Sequence, residues 1–202
     1  MAGHAMNQIF RAVSILFLAL LPVACGGPAP PERAPLDGVK IGGPFSLTDQ
    51  DGKARTDRDF AGRYRIMYFG YTFCPDVCPT DVQTIGAGLR AFEKQDAARG
   101  AKVVPIFVTV DPKRDTPAVL KTFVSAFHPR MVGLTGTPEA IAAVAKAYGI
   151  YAEAEKPNAE GGYLVAHSRF AYLMDPAGKP VALLPQDKTP KDVAAELDRW
   201  VR

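Results

Sequence analysis

Compact apolar runs alternate with segments of helical periodicity through the middle of the chain. Residues 65–71 and 103–110 are short runs of apolar and aromatic residues, as strands buried on both faces of a sheet require. Between these runs, apolar residues recur at helical spacing, at Val82, Ile85, Leu89 and Phe92. The order strand, helix, strand predicts a parallel β-α-β unit, and the helix is expected to begin near Pro79.

The second half of the chain predicts two more helices, a hairpin and a closing helix. Pro117 and Pro138 stand at the favoured first position of a helix, and apolar residues follow each of them at helical spacing. Residues 170–174 and 181–184 flank a turn of sequence Asp-Pro-Ala-Gly and should pair as a hairpin. A closing helix is indicated by apolar residues at Val193, Leu197 and Trp200.

This order of elements is that of a thioredoxin-like α/β domain. An additional hairpin is predicted before the first buried strand, since residues 45–48 and 53–56 flank the turn sequence Asp-Gln-Asp-Gly. The chain has 202 residues, 48% of them hydrophobic, which is enough for one domain with its own core. We therefore expect a thioredoxin-like domain over residues 36–202 with an added N-terminal β-hairpin.

The first 25 residues predict export and attachment to a membrane. Arg11 precedes an unbroken apolar run over residues 12–24, which is shorter than the roughly 20 residues of a spanning helix and is typical of a signal peptide. The run ends in LPVAC, which resembles a bacterial lipobox that would lipidate Cys25, although Pro22 stands where leucine is usual. An inserted, uncleaved helix and an unmodified Cys25 remain alternatives. The Pro-rich residues 26–35 predict an extended tether.

The charge pattern argues against nucleic acid as a partner. The chain has 24 basic and 21 acidic residues, a formal net charge of +3, and these residues are scattered along it. No run rich in lysine and arginine is present that would follow a phosphate backbone. The candidate chemistry therefore lies elsewhere, in the cysteines and histidines.

The sequence CPDVCP at residues 74–79 joins the first buried strand to the first long helix. Both Cys74 and Cys78 are thus expected at the positive end of the helix dipole, which stabilises the thiolate form that binds metals or attacks disulfides. A static disulfide between the two is an alternative in an oxidising compartment, although so short a loop would contribute little stability. Two inert buried cysteines fit poorly with the polar, Pro-containing loop.

His167 is the histidine expected to complete the site. In a thioredoxin-like domain, the loop before its strand lies at the same end of the sheet as the cysteine loop. Two thiolates and an imidazole form a three-coordinate set that suits Cu(I), whereas zinc usually takes a fourth ligand. The residues therefore predict a copper site formed by Cys74, Cys78 and His167, while His128 and Met67, Met131 and Met174 are interpreted as structural.

Three segments resemble the motifs of the Sco/SenC proteins. They are residues 71–79 (YTFCPDVCP), residues 110–117 (VDPKRDTP), and His167-Ser168 followed by residues 172–176 (YLMDP). The resemblance covers roughly residues 36–202. It implies a thioredoxin fold and copper held by the two cysteines and the distal histidine, either as Cu(I) alone or as both Cu(I) and Cu(II). It also implies a role in maturing the binuclear copper site of cytochrome c oxidase.

The resemblance also implies partners, which would be subunit two of the oxidase or another cuproenzyme, and other copper chaperones. The location, at the periplasmic face of a bacterial membrane, is predicted from the N-terminal signal and lipobox-like sequence. One departure is visible, because Ala166 stands where the family often has aspartate before the histidine. Asp111, Arg114 and Asp115 are interpreted either as groups that tune the cysteines or as a turn held by an ion pair.

The chief competing function is a thiol-disulfide oxidoreductase, in which Cys74 would attack and Cys78 would resolve. This enzyme would reduce the copper-ligand cysteines of the oxidase subunit. The usual thioredoxin motif is C-x-x-C, which is one residue shorter, and simple dithiol exchange has no evident use for His167. A peroxidase would not need this histidine either, and a purely structural lipoprotein would leave the cysteine loop unexplained.

Overall fold

The computed structural model describes residues 32–202 of the chain. The predicted signal peptide, Cys25 and most of the tether at residues 26–35 lie outside this part. No helix within residues 32–202 combines the length and apolar character needed to cross a membrane.

In the described part of the chain, seven strands form the main sheet, and two more form a separate ribbon. The strands are β1 (Ser46–Asp49), β2 (Ala54–Thr56), β3 (Tyr64–Gly70), β4 (Val103–Thr109), β5 (Val132–Thr135), β6 (Ala152–Ala154), β7 (Val165–His167), β8 (Ala171–Met174) and β9 (Pro180–Leu183). The main sheet has the order β2-β1-β5-β4-β3-β8-β9, and β6 pairs with β7 alone. Strands β3, β4 and β5 run parallel, while β8 is antiparallel to β3 and to β9.

Helices follow the parallel strands and close the chain. They are α1 (Val77–Gln95), α2 (Ala97–Ala101), α3 (Pro117–Ser125), α4 (Pro138–Ala147) and α5 (Pro190–Trp200). Three of them, α3, α4 and α5, begin with proline and are capped by the preceding threonine, whose hydroxyl accepts a backbone N–H of the first turn. This local chemistry explains why the starts of α3 and α4 could be predicted from the sequence, whereas the start of α5 at Pro190 was not predicted.

The sheet separates two hydrophobic cores. Alternate residues of β3 serve each core, so that Ile66 and Tyr68 pack with α1 and α5 on one face and Met67 and Phe69 pack with α4 on the other. A Cβ atom on Gly88 would lie 2.6 Å from Val193, so this glycine allows α1 and α5 to approach closely. Packing on both faces fixes β3, and β3 in turn fixes the start of the cysteine loop.

The thioredoxin-like arrangement and the N-terminal hairpin β1–β2 agree with the sequence predictions. One boundary differs, because α1 begins at Val77, two residues before Pro79, and Cys78 lies inside its first turn. Proline is tolerated there because the first four N–H groups of a helix have no intrahelical acceptor. Strands β5 and β6 and helix α2 were not predicted.

Candidate metal centre

The cysteine loop occupies residues 71–76, between the end of β3 and the start of α1. Cys74 is half-buried in this loop, whereas Cys78 is fully buried in the first turn of the helix. The helix start directs free backbone N–H groups toward the loop, which favours negative charge on sulfur. The two cysteines are free thiols in this structure.

His167 lies at the end of β7 and faces Cys78. Its Nε2 atom is 3.2 Å from the Cys78 Sγ, and its Nδ1 atom is 3.0 Å from the carbonyl oxygen of Ser168. Because a carbonyl only accepts, Nδ1 of the neutral ring carries the proton and Nε2 presents its lone pair to the thiol. The imidazole and the Tyr71 ring pack in a T-shaped arrangement, with ring centroids 5.8 Å apart.

The structure thus places together the three residues selected from the sequence. The two Sγ atoms and an imidazole nitrogen all lie within 4.8 Å of one another. Within residues 32–202, no other cysteine, histidine or carboxylate joins this group at metal-ligand spacing. A set of two sulfurs and one nitrogen, with the histidine tautomer already fixed, fits a soft three-coordinate ion such as Cu(I).

The two thiols have opposite electrostatic environments. Burial is the largest influence on the pKa of Cys74 and raises it, but hydrogen bonds from the helix-start N–H groups and from the Cys78 side chain together lower that pKa below its ordinary value. Burial raises the pKa of Cys78 to about 12. Burial also lowers the pKa of His167, which keeps the ring neutral and its Nε2 lone pair available.

Arg114 packs the cysteine loop against the segment that precedes β7. Its guanidinium lies 3.7 Å from the ring centroid of Tyr163 and 5.1 Å from that of Phe73. It also forms an ion pair with Asp111 and donates to the carbonyl oxygen of Tyr163 at 2.8 Å. Arg114 and Asp111 therefore link the cysteine loop to the segment before β7.

Asp115 holds the cysteine loop by hydrogen bonds. It accepts from the backbone N–H of Thr72 at 3.0 Å and from the hydroxyls of Thr72 and Thr109, both at 2.6 Å. Burial raises the pKa of Asp115 despite these bonds. These contacts agree with the structural interpretation of the turn, and neither Asp111 nor Asp115 belongs to the ligand cluster.

The residues interpreted as structural lie outside the cluster. Met67, Met131 and Met174 are buried in the two cores, and His128 is buried beside Glu93 and Arg130. Sequence reasoning missed the buried residues Asp81 and Tyr68 and the partly exposed Arg169, which form a polar network beside Cys78. The available signal was Asp81, an acidic residue one helical turn after Cys78 on the face occupied by Val82 and Ile85.

The chain matches the family model described as SCO1/SenC over residues 33–202. It is 44% identical to protein SenC of Rhodobacter capsulatus over 156 residues, which are 77% of this chain and 68% of that protein. The match covers 46% of mitochondrial protein SCO2 of Saccharomyces cerevisiae and 40% of a mitochondrial SCO1 homolog of Arabidopsis thaliana. The chain therefore spans about half the length of these two mitochondrial relatives and about two thirds of SenC.

Solved structures with the same fold include copper-bound ScoI of Bradyrhizobium japonicum. That structure has a TM-score of 0.72 and 45% identity, and the alignment covers 80% of this chain and 99% of that one. A second structure, of BsSco, describes a disulfide switch in a member of the Sco family of cytochrome c oxidase assembly proteins. It has a TM-score of 0.57 and 27% identity over 79% of this chain and 93% of that one.

Proposed function

The chain belongs to the SCO1/SenC family, and from this membership we propose that it is a copper chaperone that helps assemble the binuclear copper site of cytochrome c oxidase. Copper is the cargo of this protein, held by Cys74, Cys78 and His167. The acceptor is subunit two of the oxidase or another cuproenzyme, and other copper chaperones are candidate donors. Copper-bound ScoI, at 45% identity, supports the choice of metal.

The observation that carries the proposal is the convergence of two thiols and one imidazole nitrogen within 4.8 Å. The Nδ1–H donates to the Ser168 carbonyl, so the ring needs no tautomer change to bind a metal through Nε2. Soft sulfur ligands favour Cu(I), and the same three residues would also serve Cu(II). A site that already has this arrangement is suited to reversible loading.

The unequal exposure of the two cysteines suits a delivery site. Cys78 is buried and faces His167, whereas Cys74 is half-buried at the loop surface. A three-coordinate ion leaves room for an incoming thiolate of the acceptor, which would approach from the Cys74 side. Ligand exchange would then release copper from Cys74 first and from Cys78 and His167 last.

The proposal is tested by anaerobic Cu(I) titration of the reduced full-length chain against a Cu(I)-selective chelator. We expect one copper to bind per chain, with loss of two titratable thiols. Cys74→Ser and Cys78→Ser should each abolish tight binding, while Cys25→Ser, a cysteine outside the described residues, serves as the matched control and should bind like the wild type. Tight binding that survives loss of Cys74 or Cys78 would contradict the proposal.

We also propose that the chain acts at the periplasmic face of a bacterial membrane, held by a lipid or an uncleaved signal at its N-terminus. The support is the apolar run at residues 12–24 and the lipobox-like sequence ending at Cys25. A related solved structure is described as that of a SCO1/SenC family lipoprotein from Bacillus anthracis, at 27% identity. The tether at residues 26–35 would hold the domain away from the lipid surface.

A further inference from the structure

A buried carboxylate lies one helical turn beyond Cys78. The side chain of Asp81 on α1 is 1% exposed, and both of its oxygens accept hydrogen bonds. Arg169 donates through Nη2 at 2.7 Å and through Nε at 3.1 Å, and the hydroxyl of Tyr68 donates at 2.8 Å. Because a buried charge is costly without partners, Asp81 holds Arg169 and Tyr68 firmly.

Arg169 follows His167 by two residues, so the pair of Arg169 and Asp81 connects the histidine segment to helix α1, which carries Cys78. The side-chain amide of Gln186 donates to the backbone carbonyl of Arg169 at 2.6 Å. The carbonyl immediately before it, that of Ser168, accepts the Nδ1–H of His167. Gln186 therefore restrains the backbone directly after the carbonyl that orients the imidazole.

The histidine strand needs such a connection because the main sheet does not hold it. Among residues 32–202, strand β7 pairs only with β6, and this two-stranded ribbon has no ladder to the seven-stranded sheet. Short isolated ribbons are marginally stable on their own. The segment before β7 is held by Arg114, which donates to the carbonyl oxygen of Tyr163. The segment after β7 is held by Arg169, which pairs with Asp81.

We propose that Asp81 and Arg169 are positioning residues that hold the Nε2 atom of His167 against the sulfur of Cys78 before copper arrives. The proposal rests on the copper-binding function proposed above. The interaction between the two residues is bidentate, because the planar guanidinium of Arg169 binds the Asp81 carboxylate through two donors. This geometry fixes both the direction and the distance of the segment after β7 from α1. A lysine would keep the charge but not the two-point geometry.

The first test uses Arg169→Lys and Asp81→Asn in the full-length chain. Each should weaken Cu(I) binding by about tenfold, the lower end of what is typical for residues that orient a metal ligand. In the copper-free protein, the ¹⁵N shifts of the His167 ring should change from a single Nδ1–H tautomer to a mixture. This second readout does not depend on copper and would not respond to a general loss of stability.

A matched control exists at the far edge of the sheet. Asp49 and Arg55 form a pair with 1% and 38% of their side chains exposed, close to the 1% and 43% of Asp81 and Arg169. Arg55 lies on β2, and three strands separate β2 from β3. Arg55→Lys should leave both Cu(I) affinity and the His167 signals unchanged.

A double variant keeps the test informative if a single change leaves an unpaired buried charge. Replacing both partners with apolar residues, as in Asp81→Leu with Arg169→Met, is often neutral for folding. This folded variant should still lose about tenfold in Cu(I) affinity and show mixed His167 tautomers.

The positioning role would be overturned if the double variant, or both single variants, kept wild-type Cu(I) affinity and unchanged His167 ring signals. A wild-type chain that binds no copper would instead overturn the proposed function, and the ring signals would still decide the positioning role.

Discussion

Gly70 leaves the space that the sulfur of Cys78 fills. A Cβ atom on Gly70 would lie 3.0 Å from the Cys78 Sγ, and also 3.0 Å from the Tyr68 ring and 3.3 Å from the Phe107 ring. Because the Tyr68 and Phe107 rings also border this space, an added methyl group could not be accommodated by a shift of the sulfur alone. The last residue of β3 therefore determines how deeply Cys78 is buried.

We expect Gly70→Ala to lower the free energy of unfolding by about 1–3 kcal/mol through overpacking and to weaken Cu(I) binding by about tenfold. Gly133→Ala is the control, since its Cβ would lie 3.1 Å from Val124 and 3.2 Å from Leu120, in a strand that carries no ligand. It should lose stability without losing copper affinity. Denaturant unfolding and chelator competition measure the two effects, and equal copper losses in both variants would refute the link.

The pKa difference between the two thiols predicts selective alkylation. The pKa of Cys74 is lowered and that of Cys78 is raised to about 12, so Cys74 has the larger thiolate fraction of the two near neutral pH. Iodoacetamide should modify Cys74 at least about tenfold faster than Cys78 in the reduced, copper-free chain. Peptide mass spectrometry over time measures both rates. Comparable rates would show that the helix start does not distinguish the thiols.

His128 predicts a dependence of stability on pH that is separate from the site. Burial lowers its pKa, although the nearby Glu93 opposes the shift. The unfolded chain then binds a proton more readily than the folded protein, so stability is complete above the ordinary pKa of 6.5 and falls as the pH drops through the folded value. His128→Asn should flatten the change in unfolding free energy between about pH 7 and pH 5. An unchanged slope would assign that dependence to other groups.

The parts of the fold that could be predicted have local signals. Helices α3 and α4 begin at Pro117 and Pro138 because threonine caps precede them, and β3 and β4 are apolar runs buried on both faces. Strand β6 gave no such signal, since all three of its residues are exposed and it pairs only with β7. Its pairing arises from tertiary structure.

The residues of the site also divide into those with a signal in the sequence and those without one. The spacing of Cys74 and Cys78 was visible in the sequence, and His167 could be added from the order of elements. Asp81 and Arg169 could not be paired in advance, because 88 positions separate them and their contact depends on how the ribbon docks on α1. Long-range ion pairs leave no periodic pattern for a single sequence to reveal.

The proposed anchor predicts that lipid labelling depends on one cysteine. In a Gram-negative host, Cys25→Ser should abolish incorporation of a labelled fatty acid and leave the folded domain intact. Cys74→Ser is the control and should be labelled like the wild type, because its cysteine belongs to the site. Membrane fractionation accompanies the labelling. Labelling that persists without Cys25 would exclude the lipobox interpretation, and membrane association without any lipid would favour an inserted signal segment.

The last prediction separates a copper carrier from a thiol-disulfide reductase. The Nε2 atom of His167 is a candidate ligand 3.2 Å from Cys78, so His167→Ala would leave a two-sulfur site that is open to competitors. Copper affinity should fall by at least about tenfold. Dithiol exchange depends on the thiolate of Cys74, the second thiol and the helix start, none of which requires an imidazole ligand, so its rate should change little.

Both activities are measured on one set of full-length proteins, by Cu(I) competition and by reduction of a small disulfide. Cys74→Ser should abolish both activities, and His128→Asn, a change at a buried histidine outside the site, should affect neither. Loss of copper affinity in His167→Ala with near-normal exchange would support the carrier, because only metal binding uses the third ligand. Unaltered copper binding with collapsed exchange would reverse the assignment, since His167 would then act as a proton acceptor for the Cys78 thiol that faces it.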